Sequence, residues 1–257
     1  MPIDPIKAAT SLLARSRRIV ALTGAGISTE SGLPDFRSPG GLWAGVNPLE
    51  VATLSAFRRR PEAFFDFYRK RLAMLAGARP NPAHHALVDL EEFGLRAVVT
   101  QNVDGLHHAA GSRRIIELHG NLREAACVEC GRTSPIQIIT AALDRKVSPI
   151  CEHCGGALKP NVVLFEELLP EAAYLAAESE VRRADVLLVV GSSLQVTPAA
   201  WLPEAAKSHG AGVIIANDED TAVDRVADVV LRGRVGKILP DLVAAVSARH
   251  EQRDDSR

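Results

Sequence analysis

Cysteine and long apolar runs are scarce in this sequence, and each shortage excludes a class of protein. Four cysteines in 257 residues, all in two regularly spaced pairs, do not form the framework of a disulfide-rich secreted domain. No run of about 18 apolar residues occurs, and the N-terminus lacks the apolar core and cleavage site of a signal peptide. We therefore expect a cytoplasmic protein that does not associate with a membrane.

An excess of charge of one sign is also lacking. Lysine and arginine total 30 against 31 acidic residues, so no net field would draw the chain to nucleic acid. The composition, 47% hydrophobic and 24% charged, is typical of a globular protein. The length fits one large domain with a small insertion, and we expect a monomer.

Short apolar runs alternate with helical patterns along most of the chain. The runs predict buried strands over 19–22, 95–100, 186–191, 213–217 and 229–231. Helices are predicted from Asp4 and Pro5 onward and over 82–93, 170–183, 198–208 and 237–249. A frayed tail is predicted after His250. This alternation predicts an α/β fold with a doubly wound, parallel, Rossmann-type sheet.

Two segments interrupt the alternation and predict a smaller inserted lobe. Residues 38–80 are rich in Pro, Trp, Phe and Arg and contain one amphipathic pattern, over 61–75. Residues 121–159 contain the cysteines. The Rossmann-type domain would then comprise residues 1–37, 81–120 and 160–257.

The cysteines have the spacing of a structural metal site. Cys127 and Cys130 are separated by two residues, as are Cys151 and Cys154. Two such turns can bring four thiolates around one tetrahedral zinc ion and leave no position open for catalysis. A redox dithiol is the alternative, and His153 could replace one thiolate.

Polar and glycine residues follow several predicted strands. Gly24 to Ser28 read GAGIS, which could approach a phosphate, although a tight structural turn explains this short motif nearly as well. Residues 100–107 read TQNVDGLH after the next strand. In an open parallel sheet, ligands bind beyond the carboxyl ends of the strands. His119 also follows an apolar run, where it could be a general base or a structural histidine.

The ordered motifs GAGIS, GLPDFRS, TQNVDGLH, HG, paired CxxC, KPNVVLFEE and GSSLQVTP resemble those of sirtuins over roughly residues 15–245. The resemblance implies an NAD-dependent protein lysine deacylase of the bacterial and archaeal type, with a single catalytic core. The acyl group would pass to ADP-ribose as nicotinamide is released, with deacetylation the leading expectation. The substrate would be an acylated lysine in a protein.

The resemblance also assigns roles to particular residues. His119 would be the catalytic base, and Asn102 and Asp104 would assist departure of nicotinamide. NAD would be bound by Gly24, Ala25, Gly26, Ser28, Asp35, Phe36, Arg37, Gln101, Asn102, Asp104, Gly191, Ser192, Ser193, Asn217 and Val235. Zinc would be bound by Cys127, Cys130, Cys151 and Cys154.

On the substrate side, Val163, Leu164 and Phe165 would border the acyl-lysine tunnel. The backbone of 165–167 and of 193–195 would pair with the substrate peptide as an added strand. Glu166 replaces the glycine usual in this family, and we expect its charge to favour basic residues that flank the acyl-lysine.

Tyr68 and Arg71 share a face of the predicted helix. In sirtuins that remove succinyl or malonyl groups, a similar Tyr-x-x-Arg pair binds the distal carboxylate. The alternative is an amphipathic core helix whose arginine reaches solvent.

Three other functions remain open from the sequence. The same pocket could transfer ADP-ribose to a protein, and the cysteine module could be a zinc-ribbon binding module without catalysis. A dehydrogenase is a weaker alternative, because the glycine fingerprint and the acidic residue about 20 positions later are missing.

Overall fold

The computed structural model describes residues 4–254, which form two sheets and the helices around them. The strands are β1 (Ile19–Thr23), β2 (Leu95–Thr100), β3 (Ile115–Glu117), β4 (Gly120–Cys127), β5 (Thr133–Pro135), β6 (Leu158–Val162), β7 (Val186–Val190), β8 (Gly212–Asn217) and β9 (Val229–Arg232). The α-helices are α1 (Pro5–Ala14), α2 (Pro48–Val51), α3 (Leu54–Arg59), α4 (Pro61–Gly77), α5 (Pro82–Asp89), α6 (Leu106–Ala110), α7 (Gln137–Asp144), α8 (Glu171–Arg182), α9 (Leu202–Ser208) and α10 (Val235–Asp254). Short 3-10 helices lie at Ala25–Ser31, Leu90–Phe93, Ala199–Trp201 and Asp224–Val226.

The larger sheet has six parallel strands in the order β3-β2-β1-β7-β8-β9. The chain moves outward from β1 to β3, and then returns to the other side of β1 at β7. This reversal is the topological switch point at which open α/β sheets bind ligands. The predicted doubly wound parallel fold is confirmed, and all five predicted strands are present.

Alternate side chains of the strands form two cores, one on each face of the larger sheet. Ala21 and Leu188 face a core that includes residues of α1, α5 and α10. Leu22 and Val189 face a second core that includes residues of α8 and α9. Both faces are therefore apolar, which explains why the strands are continuous hydrophobic runs rather than alternating ones.

The smaller lobe combines the antiparallel sheet β5-β4-β6 with α7 and with the helices of the first insertion. Its core contains Phe57, Phe64, Phe65 and Tyr68 together with two of the cysteines. The sequence predicted one helix in the first insertion, but the structure has three, α2, α3 and α4. The two additional helices are too short for their periodicity to be recognised in the sequence.

The C-terminal helix is longer than predicted. α10 continues through the start of the tail that was predicted to fray and ends at Asp254. The His250 ring contacts Phe93, with 5.3 Å between ring centroids, and this contact fixes the last turns on the domain. The prediction for residues 255–257 lies outside the described residues. Within residues 4–254, no helix has both the length and the apolar character needed to cross a membrane.

Candidate active site

A cavity of about 770 Å³ lies where the carboxyl ends of the strands of the larger sheet face the smaller lobe. Its volume is in the range of small-molecule binding sites. The structure brings every predicted catalytic, NAD-binding and substrate-binding residue to this cavity. They are Gly24, Ala25, Gly26, Ser28, Asp35, Phe36, Arg37, Tyr68, Arg71, Gln101, Asn102, Asp104, His119, Val163, Leu164, Phe165, Glu166, Gly191, Ser192, Ser193, Asn217 and Val235.

His119 is half-buried between the ends of β3 and β4, and its side chain borders the cavity. Its Nδ1 atom lies 2.9 Å from the carbonyl oxygen of Gln101. Because a carbonyl only accepts, the proton is assigned to Nδ1, and Nε2 is left as the basic atom. Burial lowers the pKa of His119 below its ordinary 6.5, although the hydrogen bond to Gln101 opposes this change. The imidazole is therefore neutral near pH 7 and can accept a proton.

Asn102 and Asp104 are held by a hydrogen-bond network at the end of β2. The side-chain amide of Asn102 donates to the Gly24 carbonyl and to the Ser28 hydroxyl, both at 3.1 Å. Ser28 in turn donates to Asp104 over 2.7 Å. Burial raises the pKa of Asp104, while hydrogen bonds from Leu106 and Ser28 act against that rise. The network fixes both side chains before any ligand binds.

The glycine loop packs directly against the end of β7. The Gly26 amide donates to the Gly191 carbonyl over 2.8 Å. A Cβ at Gly26 would lie 2.8 Å from that same oxygen, and a Cβ at Gly191 would lie 2.2 Å from the Ile27 nitrogen. Only glycine permits this approach, which leaves the loop backbone exposed to the cavity.

Amide and hydroxyl side chains border the remainder of this wall. Gln101 donates to the Ser192 hydroxyl over 2.8 Å. Asn217, at the end of β8, donates to the Glu219 carbonyl over 2.7 Å. These groups suit the ribose hydroxyls, amides and phosphates of a dinucleotide, so the donor chemistry of the cavity fits NAD.

Tyr68 and Arg71 project from α4 into the opposite wall. Arg71 is half-buried, and its guanidinium lies 5.4 Å from the centroid of the Phe36 ring and 5.9 Å from that of Tyr68. Among residues 4–254, Arg71 has no ion pair with a carboxylate. Burial raises the pKa of Tyr68 to about 12, so its hydroxyl remains a donor. The pair therefore offers a cation and a phenol to the cavity.

The turn after β6 is held by backbone hydrogen bonds to the first insertion. The Phe165 amide donates to the Ala52 carbonyl over 2.9 Å, and the Phe165 carbonyl accepts from Leu54 over 3.1 Å. The Glu167 amide donates to Leu164 over 3.1 Å. Phe165 thus uses both backbone groups within the protein. Its carbonyl oxygen can still accept a second hydrogen bond, and pairing of residues 165–167 with a peptide strand stays a prediction.

The four cysteine sulfurs lie within 4.8 Å of one another at the end of β4 and the turn before β6. The Sγ atoms of Cys127 and Cys154 are 3.5 Å apart, and those of Cys130 and Cys151 are 3.8 Å apart. Zinc–sulfur bonds of about 2.3 Å in a tetrahedron require sulfur separations of about 3.8 Å. The cluster fits a zinc ion, and His153 is not part of it.

Sequence reasoning missed two residues that shape the cavity. Trp43 packs against Phe36, Phe67 and Phe165, with ring centroids 5.4, 5.7 and 6.5 Å apart. Glu167 accepts from the Leu164 amide over 2.8 Å and forms an ion pair with Lys159 at 3.0 Å. A lone tryptophan in a predicted insertion gave no signal of this role. The contacts of the Glu167 side chain form only once the turn after β6 has folded, so no signal of them is present in the sequence either.

The fold and site define an NAD-binding α/β protein in which a zinc lobe covers the ligand cleft. The Sir2 family profile matches residues 24–198. The chain is 50% identical to NAD-dependent protein deacetylase 1 of Geobacillus kaustophilus, over 91% of this chain and 95% of that one. It is 48% identical to NAD-dependent protein deacylase 2 of Pyrobaculum aerophilum, over 94% and 96% of the two chains.

Solved structures agree with these relatives. A Sir2 homolog–NAD complex superposes with a TM-score of 0.88 at 40% identity, covering 96% of this chain and 95% of that one. Sir2Af2 bound to a myristoylated histone peptide superposes with a TM-score of 0.80 at 39% identity, over 97% and 99%. The chain belongs to the Sir2 family, the sirtuins.

Proposed function

We propose that this sirtuin is an NAD-dependent protein lysine deacylase that transfers the acyl group to ADP-ribose and releases nicotinamide. The observation that carries the proposal is the neutral imidazole of His119 at a cavity bordered by the glycine loop on one side and by apolar residues on the other. The relatives named as NAD-dependent deacylases and deacetylases support it. When bound, NAD supplies an activated ribose carbon that the acyl oxygen can attack.

The chain's own residues prepare that reaction. Asn102 and Asp104 are fixed where they would orient the nicotinamide amide, and the backbone of the glycine loop would bind the phosphates. His119 accepts a ribose hydroxyl proton at Nε2, because Nδ1 is occupied by Gln101. The Phe36 ring, which contacts Trp43 and Arg71, would cover the ribose of bound NAD and exclude water that would hydrolyse the sugar.

Acetyl-lysine is the leading substrate, since the wall formed by Val163, Leu164 and Phe165 is apolar. The half-buried Arg71 forms no salt bridge within residues 4–254, although the charge of Asp104 acts on it. Its place at the cavity favours a second activity on succinyl- or malonyl-lysine. A distal carboxylate could accept from both Arg71 and Tyr68 and offset the cost of holding a cation away from water.

The test is mass spectrometry of the NAD-derived product with a panel of acetyl-, succinyl- and malonyl-lysine peptides. Acyl-ADP-ribose formed only when an acyl peptide is present supports deacylation. Nicotinamide release without peptide indicates NAD hydrolysis, and a mass increase of one ADP-ribose on the peptide indicates ADP-ribosyl transfer. Full cellular function of His119→Ala would favour a zinc-ribbon binding module.

The oligomeric state and the cellular compartment are also proposals. We expect the protein to act as a monomer in the cytoplasm and without nucleic acid, which its formal net charge of −1 supports. Size-exclusion chromatography with light scattering tests the monomer.

A further inference from the structure

The turn Leu164–Glu167 has a backbone geometry that a glutamate rarely adopts. Glu166 has φ +77°, and the Glu167 amide donates to the Leu164 carbonyl. Phe165, the second residue of this turn, has negative φ, and Glu166 is the third. The turn is therefore type II, in which the third position favours glycine. A Cβ at this position is strained. A compensating contact of the side chain is therefore expected.

The Glu166 carboxylate makes such a contact with the smaller lobe. It accepts a hydrogen bond from the Ser55 amide over 2.9 Å, at the first turn of α3. The hydrogen bonds from Ser55, and then the charges of Arg59 and Arg58, lower the pKa of Glu166. The side chain is exposed at the border of the cavity, and its carboxylate bonds to a helix amide that has no partner within the first turn of α3.

Backbone pairing strengthens the same junction. Phe165 forms a parallel bridge with Thr53, through its bonds to Ala52 and Leu54. The Thr53 hydroxyl caps α3 by accepting from the Ala56 amide over 2.9 Å. The start of α3 and the turn are consequently one hydrogen-bonded unit, although they are about 110 residues apart in the sequence.

This unit connects to the proposed NAD site through aromatic rings. The Phe165 ring contacts Trp43, and Trp43 contacts Phe36. The position of the turn therefore influences the ring that covers the ribose.

We infer that Glu166 is a positioning residue: it fastens the substrate-side turn to α3 and holds Phe165 and Trp43 in place before a peptide binds. It acts through backbone position and not by contact with the charges of the peptide. Its effect on catalysis rests on the proposed deacylase function, whereas its effect on the turn does not.

The first experiment needs no substrate. Amide hydrogen exchange at Ser55 is measured by NMR in wild type, Glu166→Ala, Glu166→Gln and Glu166→Gly. We expect exchange to be about fivefold faster in the alanine and glycine variants, which lose the acceptor, and nearly unchanged in the glutamine variant, which keeps one. The glycine variant should unfold at a higher temperature than the alanine variant, because it relieves the strained φ. Unchanged exchange in Glu166→Ala would overturn the inference.

A second measurement reports on Trp43. In a Trp201→Phe background, Trp43 is the remaining tryptophan, and Trp201 is exposed and outside the cavity. Acrylamide should quench Trp43 more strongly in Glu166→Ala than in wild type. Glu171→Gln is the matched control: this exposed carboxylate makes no hydrogen bond or ion pair with a residue in the described part of the chain. Equal quenching in Glu166→Ala and the control would contradict the inference.

The kinetic consequence is a higher KM for acyl peptide in Glu166→Ala, by about fivefold, with Glu166→Gln close to wild type. If both Glu166→Gln and Glu166→Ala lose a preference for basic flanking residues while Ser55 exchange stays unchanged, the charge recognises the peptide directly and the inference is wrong. If wild type shows no acyl transfer at all, the proposed function fails, and the exchange and quenching results still decide the role of Glu166.

Discussion

The two walls of the cleft are stabilised in different ways. The wall on the larger sheet extends from strands buried on both faces, and its polar side chains form hydrogen bonds with one another, as Asn102, Ser28 and Asp104 do. The wall on the smaller lobe is stabilised by a core of aromatic side chains and by the cluster of four cysteines. The first wall can keep its geometry without a metal or ligand, whereas the second requires a cross-link.

This difference also divides the chemistry. The groups that we propose to act on NAD follow the strands of the larger sheet, where reactive atoms need fixed positions. Tyr68 and Arg71, which we propose to contact the acyl chain, lie on a helix of the smaller lobe. We expect changes in the smaller lobe to alter substrate choice, and changes at the sheet edge to alter the reaction itself.

Removal of zinc gives the largest expected effect and tests the dependence of the smaller lobe on its cross-link. Structural zinc contributes about 10–16 kcal/mol in zinc-finger peptides. Cys151→Ser or a strong chelator should therefore unfold β4–β6 and abolish deacylation, while the larger sheet keeps its circular dichroism. His153→Ala is the control, because His153 lies between Cys151 and Cys154 in the sequence but is not part of the metal cluster. Full activity of a metal-free protein would contradict the dependence of the smaller lobe on its zinc cross-link.

Substitution of His119 tests the sheet wall. His119→Ala should lower kcat by about 10²–10⁴-fold with little change in unfolding temperature, because the ring is a base and not a core residue. In wild type, activity should fall on acidification only below pH 6.5, since the pKa of His119 is lowered by burial and the neutral form is required. Steady-state rates over pH 5–8 check this, with the exposed His85→Asn as control. A loss of activity that begins well above pH 6.5 on acidification would refute this role of His119.

Acid should weaken the larger domain specifically, through two buried histidines. The rings of His84 and His107 contact each other at a tilt of 55°, with 5.0 Å between centroids, and His107 Nε2 lies 2.9 Å from the Thr23 hydroxyl. Burial lowers the pKa of His84 to about 4 and that of His107 to about 3, with smaller contributions from neighbouring histidines. The unfolded chain therefore takes up protons first, at about pH 6.5. The contribution of the pair to stability is complete above that pH and is lost as the pH falls through 6.5 toward 4 for His84 and toward 3 for His107.

We expect a loss of about 2–4 kcal/mol between pH 7.5 and pH 5 from this pair. Urea unfolding at the two pH values measures it. His84→Gln combined with His107→Gln should flatten the dependence, and His85→Asn should not. An equally steep pH dependence in the double variant would place the acid sensitivity elsewhere.

The smallest expected effect concerns substrate choice in the smaller lobe. Arg71→Ala should reduce the ratio of succinyl-lysine to acetyl-lysine kcat/KM by about 10–100-fold, as expected for a lost hydrogen bond to a charge. Arg69→Ala, an exposed neighbour on α4, is the control. Absence of succinyl activity in wild type, or an unchanged ratio in Arg71→Ala, would show that the Tyr68–Arg71 pair is structural.

Local signals in the sequence predicted much of this protein. Buried strands are apolar runs whatever their neighbours, and two CxxC pairs indicate zinc at any position in a fold. The ordered motifs predicted which residues border the cavity, because the carboxyl ends of parallel strands must meet at one edge. The helices α2 and α3 were missed because they have only 4 and 6 residues and are stabilised by caps and by tertiary contacts rather than by an apolar periodicity.

The amino-acid sequence by itself predicted five strands of the larger sheet, the metal ligands and the motif residues, since apolar runs, CxxC pairs and ordered motifs can be recognised without knowledge of tertiary contacts. Only the tertiary structure decided the contacts of the substrate-side turn. The backbone of Phe165 forms hydrogen bonds with Ala52 and Leu54, and the Glu166 carboxylate accepts from Ser55. Trp43 contacts both Phe36 and Phe165. Those contacts join residues far apart in the chain, and their geometry follows from how the lobes pack, which no local pattern encodes.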